Sequence, residues 1–97
     1  MISLEVIQGQ DQGRTLQSAA AHLSIGRGNN ASLQLGDPHL SAEHGLVLQD
    51  EETIRYRDLG STNGTYVNSH RVEAGRLSEG DELMIGKFHL RVSKGDG

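Results

Sequence analysis

Cysteine and tryptophan are absent from this 97-residue chain, proline occurs once, and the aromatics are limited to two tyrosines and one phenylalanine. The missing cysteines exclude disulfides, thiolate nucleophiles and cysteine-based zinc sites together. Long apolar runs are missing too. Stretches such as Ala19 to Ala21 and Leu46 to Leu48 fall far short of the roughly 20 residues that a membrane-spanning helix needs. Met1 to Gln10 lacks the basic start and apolar block of a secretory leader, so the expected location is the cytoplasm. Basic charge is also scarce. Nine Lys and Arg face 13 Asp and Glu, and a net charge of −4 argues against a general nucleic-acid binder, which neutralises several phosphates with a basic excess. Any anion site must therefore be local. Seven of the nine basic residues are arginine, whose planar fork suits bidentate phosphate contact, but they are not clustered along the chain.

What is present is a succession of short alternating segments. Ile2, Leu4 and Val6 alternate with Ser3 and Glu5 at the period of a half-buried strand. After the turn Gly9 to Gly13, the segments Arg14 to Ser18 and His22 to Arg27 read as strands, followed by Leu33 to Leu35. His44 to Gln49 and Thr53 to Asp58 read as a hairpin across Asp50, Glu51 and Glu52, with Ile54 and Tyr56 facing opposite to Arg55 and Arg57. Thr65 to Val67, His70 to Glu73, Leu83 to Ile85 and Phe88 to Val92 complete the set. Turn signals every eight to twelve residues point to an all-β sandwich or barrel. The stretch Gln17 to Leu23 leaves room for one helical turn at most. Residues 1–93 read as a single domain. Residues 94–97, with two glycines and no apolar side chain, read as the start of a linker to the rest of a longer protein.

Several motifs compete for a functional reading. Gly26, Gly28 and Ala31 match G-x-G-x-x-A, but Gly36 and Pro38 follow too soon for the helix a dinucleotide site requires. Ser41, His44 and Asp58 have the residue types of a hydrolase triad, without a G-x-S-x-G elbow or a visible oxyanion hole. The five histidines, His22, His39, His44, His70 and His89, show no H-x-x-x-H spacing, so no metal and no other cofactor is expected. Asn30-Ala31-Ser32 and Asn63-Gly64-Thr65 are glycosylation sequons, which matter only in a secreted protein.

The informative pattern is ordered along the chain: Gly26-Arg27, then Ser41-x-x-His44, then Ser61-Thr62-Asn63-Gly64-Thr65-Tyr66-Val67-Asn68, then Gly80-Asp81-x-Leu83-x-Ile85-Gly86. It resembles the forkhead-associated domain, a phosphothreonine-binding module, over nearly the whole chain. The resemblance implies a two-sheet β-sandwich of about eleven short strands with the phosphopeptide loops at one end. It implies that Arg27 and Ser41 bind the phosphate, that Thr62 helps to line that site and that Asn63 holds the ligand backbone. Gly26, His44 and Gly64 would support the site, with His44 bracing the loop that carries Ser41. Three loops, Gly26 to Ser32, Asp37 to Glu43 and Leu59 to Gly64, would then meet to present a convergent anion site. Such a module is not an enzyme. Its partner is a protein or peptide bearing a phosphothreonine, in another molecule or in the same chain, with neither nucleic acid nor membrane involved.

Three departures from the family pattern stand out. Ala42 occupies a position that is often polar, which predicts one phosphate contact fewer and weaker binding. Ser69 replaces the usual glycine after Asn68, which predicts an altered turn. Glu43 places a negative charge near the phosphate loop. The alternative is a phospho-independent scaffold or secretion-apparatus domain of the same fold, and intact Arg27, Ser41 and Asn63 argue for the phosphate reader.

Overall fold

A computed structural model describes residues 1–10, 12–50 and 53–94. In chain order the strands are β1 (Ile2–Gln8), β2 (Thr15–Ser18), β3 (His22–Gly26), β4 (Leu33–Gln34), β5 (Gly45–Gln49) and β6 (Ile54–Asp58). They continue with β7 (Thr65–Val67), β8 (His70–Val72), β9 (Ala74–Leu77), β10 (Glu82–Ile85) and β11 (Phe88–Lys94). Two sheets result, one in the order β2-β1-β11-β10-β7-β8 and the other in the order β4-β3-β5-β6-β9. The described residues contain no helix, hence none long and apolar enough to cross a membrane.

Alternation drives the packing. Leu4 lies opposite Val92 and Val6 opposite Leu90 on the inner face of the first sheet. Leu23 lies opposite Val47 on the inner face of the second. The apolar halves of these strands, with Leu83, Ile85, Ile54 and Tyr56, form one buried core between the layers. Two further core residues come from a connection rather than a strand: Leu35 and Leu40, 0% and 2% exposed, pin the segment between β4 and β5 against the core. That segment carries Ser41.

The sandwich expected from the sequence is present, with three differences. The Gln17 to Leu23 stretch holds no helical turn, because β2 ends at Ser18 and β3 begins at His22, each committed to a strand partner, β1 and β5. β9 has no counterpart in the sequence reading. Its residues Ala74, Gly75 and Arg76 are exposed and show no alternation, and the strand exists because Ile54 to Arg57 of β6 offer it a ladder. β11 extends through Lys94, which pairs with Ile2, one residue past the expected domain limit. The remaining linker residues 95–97 and the hairpin-tip residues 51 and 52 lie outside the described residues. At the β7–β8 turn both Asn68 (φ 48°) and Ser69 (φ 73°) are left-handed, the geometry of a tight hairpin turn. The turn is therefore kept and Ser69 bears the strain that glycine would avoid.

Candidate functional site

Three connections converge at one end of the sandwich: residues 27–32 after β3, residues 35–44 before β5, and residues 59–64 between β6 and β7. The first two are joined by backbone. Arg27 N donates to Ser41 O at 3.1 Å, Gly28 N to Ala42 O at 3.1 Å, and His44 N to Ile25 O at 2.9 Å. This approach is what requires glycine at position 26, where a Cβ would collide with the Ala42 carbonyl oxygen. Gly26 thus lets the two loops touch.

The Arg27 side chain is exposed yet oriented. Its Nε donates to Leu40 O at 3.1 Å, leaving both terminal nitrogens free for a bidentate anion contact. Ser41 Oγ accepts from Thr62 N at 3.4 Å, so its own proton is available to an incoming oxygen. Thr62 and Asn63 are exposed beside it. Asn63 Nδ2 donates to His39 O at 2.7 Å, which fixes the amide plane while its oxygen stays available to a ligand N–H. Next to Asn63 runs an open groove of about 310 Å³ between His39, Tyr66, Met84 and Lys87.

Beneath these groups lies a polar layer. His44 is 0% exposed, and its Nε2 donates to Gly64 O at 2.9 Å, clamping the loop before β5 to the loop before β7. Nδ1 is left without a partner among the described residues, a cost that the clamp must outweigh. His44 therefore braces the loops. Its hydrogen bond goes to Gly64, not to Ser41, so the Ser41–His44–Asp58 combination is not arranged as a relay.

Asp58 is the second anchor. Its carboxylate accepts from Ser61 N at 2.9 Å, from Ser61 Oγ, and from Thr65 Oγ1 at 2.9 Å. Tyr56 OH donates to Thr65 Oγ1 at 2.7 Å, and Gly64 N donates to Ser61 Oγ at 3.1 Å. Gly64 itself turns the loop at φ 81°. Burial would raise the Asp58 pKa, but the bonds from Ser61 and Thr65 outweigh it and hold the carboxyl below the ordinary range. Burial pushes the Tyr56 phenol well above its ordinary value. Gly45 faces this network, and a Cβ there would overlap the Tyr56 hydroxyl.

Asp37 does the same for the other side. It is 5% exposed, accepts from His39 N at 2.9 Å and Lys87 N at 3.1 Å, and meets His39 Nδ1 at 3.0 Å. The His39 backbone bond is the leading cause that keeps its carboxyl below the ordinary range. Asp37 and Leu40 were not singled out from the sequence, and Asp58 was seen only as a triad candidate. The Asp58-x-x-Ser61 spacing, an acidic side chain receiving the N–H three residues on, was the local signal available.

Ala42 contributes only its carbonyl and methyl here, consistent with one side-chain donor fewer at the loop tip. Glu43 lines a neighbouring groove with Ala31, Leu46 and Leu59.

Comparison with known proteins places these features in context. The sequence profile described as FHA domain matches residues 23–86. The glycogen accumulation regulator GarA of Mycobacterium tuberculosis is 36% identical over 87 residues, covering 90% of this chain and 54% of GarA. The chain spans about half the length of the curated relatives it matches. A structure solved for the analysis of phosphothreonine-dependent FHA domain interactions superposes with a TM-score of 0.89 at 31% identity, covering 99% of this chain and 98% of the other. The FHA domain of FhaA, complexed with the intracellular domain of a second protein, gives a TM-score of 0.87 at 33% identity and coverages of 95% and 99%.

Proposed function

We propose that this chain, which belongs to the forkhead-associated domain family, docks proteins or peptides bearing a phosphothreonine through the loop end of its sandwich. The observation that carries the reading is the pairing of a free guanidinium fork with a free hydroxyl: Arg27 held through Nε by Leu40 O, and Ser41 held as an acceptor by Thr62 N. A phosphothreonine dianion needs charge-assisted donors from more than one direction, and this arrangement offers them without further movement. Arg27 and Ser41 take the phosphate, with Thr62 lining the site. Asn63, fixed by His39 O, grips the ligand backbone, and the ligand chain passes into the groove beside Tyr66 and Met84.

The domain is a reader of Ser/Thr kinase products and not itself a catalyst. His44 supports this, since it is committed to the Gly64 carbonyl and lies fully buried. A cytoplasmic location fits a reader that serves kinase signalling. Affinity in the micromolar range corresponds to roughly −8 kcal/mol, and the absent side-chain donor at Ala42 favours the weaker end.

The test is titration of matched phosphorylated and unphosphorylated threonine peptide pools against the folded domain. Arg27→Ala removes two charge-assisted bonds, about 3 kcal/mol, and is expected to lower affinity about a hundred-fold while lowering stability only by the lost Nε–Leu40 O bond, about 1 kcal/mol. Equal binding of both pools, or full binding by the alanine variant, would overturn the reading.

A further inference from the structure

The outer face of the five-stranded sheet carries charge in an unfavourable arrangement. Arg55 of β6 lies directly opposite Arg76 of β9, and Arg57 lies two residues along on the same face. Like charges directly opposite across an antiparallel pair destabilise a sheet. None of the three guanidiniums has a hydrogen bond or ion pair among the described residues, and all three residues are exposed. They surround an open groove of about 750 Å³. Of the two carboxylates lining it, Asp58 is tied to Ser61 and Thr65, which leaves Glu73 beside three arginines. In a chain of net charge −4, this is a local concentration of positive charge.

The face is not purely polar. Leu48 lies opposite Arg55 and Leu46 opposite Arg57, and both leucines are only partly covered. Rows of leucine and arginine therefore run side by side, apolar on β5 and cationic on β6 and β9. At one end the groove reaches Gly60, at the root of the loop that bears Thr62 and Asn63.

We infer that the outer face of β5, β6 and β9 is a second docking surface, for an acidic protein segment in which carboxylates alternate with aliphatic side chains. Carboxylates meet Arg55, Arg57 and Arg76 as charge-assisted pairs, and aliphatic groups cover Leu46 and Leu48. The surface needs no phosphate and works independently of Arg27. The acidic balance of the whole chain favours a protein segment over nucleic acid, whose long run of phosphates would meet repulsion beyond this one patch.

The test uses a short unphosphorylated peptide of alternating glutamate and leucine, titrated into the labelled domain while amide shifts are followed. Saturable shifts at Arg55, Arg57, Gly75 and Arg76, weakened by salt and retained in Arg27→Ala, are the expected result. The Arg55→Glu, Arg76→Glu double variant is expected to lose about ten-fold or more in affinity. Arg55→Glu alone relieves the like-charge pair, so its unfolding midpoint is expected to hold or rise, which separates lost binding from lost folding. No shifts, shifts confined to Arg27, Ser41 and Asn63, or unchanged binding by the double variant would overturn the proposal. Tighter binding of a single-stranded oligonucleotide or an anionic vesicle to the same residues would overturn the class of partner. Because the probe carries no phosphate, either result leaves the phosphothreonine reading to its own test.

Discussion

At the loop end of the sandwich, nearly every polar group has a second group holding it: Leu40 O holds Arg27, Thr62 N holds Ser41, His39 O holds Asn63, and Gly64 O holds His44. On the outer face of β5, β6 and β9, three arginines are held only by the strands that bear them. The loop end is preorganised, and its donors lose little freedom when a ligand arrives. The sheet face keeps mobile side chains over a rigid backbone, so its contacts carry a larger ordering cost. The difference predicts specificity at the first surface and weaker, salt-sensitive attraction at the second.

Breaking the support beneath the loop end should have the largest effect. Asp58→Ala leaves Ser61 and Thr65 without their acceptor and Gly64 without a fixed partner. It is expected to cost about 3 kcal/mol or more in urea unfolding and to abolish phosphopeptide binding, although Asp58 is not placed against the phosphate. The arginine face should keep its peptide-induced shifts at temperatures where the variant remains folded. A variant that binds phosphopeptide normally would show that the loop holds its shape without the carboxylate.

A smaller effect separates the two regions by pH. Asp37 and Asp58 both have folded pKa values below the ordinary one, so the unfolded chain binds protons first as pH falls. The stability they contribute is complete above the unfolded carboxyl pKa of about 3.9 and is lost as pH falls below it through the depressed folded values. Amide exchange at Ser61, Gly64 and Lys87 should therefore rise in acid before exchange in β5 and β6. The backbone of β5, β6 and β9 is held by ladder hydrogen bonds, so those strands should change only when the fold does. Simultaneous loss in both regions would make the loop end and the sheet one cooperative unit.

The smallest expected effect sits away from both surfaces. Ser69→Gly removes the Cβ from a left-handed position at φ 73° and should stabilise the domain by roughly 1 kcal/mol. Binding at the loop end should not change, because the turn joins β7 to β8 at the far end of β7 from Gly64. A changed affinity would reveal coupling along that hairpin.

The sequence by itself determined the elements whose signal is local. Ile2 to Val6, Ile54 to Asp58 and Phe88 to Val92 alternate with the period of the pleat, and glycines mark where the chain turns, so strands and inner faces could be read directly. The candidate residues Arg27, Ser41, Thr62 and Asn63 were named through ordered motifs that resemble a known family, and the loops that bear them meet at one end of the sandwich. Tertiary structure alone decided what depends on partners distant along the chain. β9 is a strand because β6 pairs with it, and Leu40 is core because its loop folds inward. Asp37 is a bracket because Lys87 arrives from β11's turn, and three of the seven scattered arginines form one patch only where Arg55 meets Arg76. Hydrogen bonds and charge act through space at a few ångströms, and no local pattern records which distant residue will come that near.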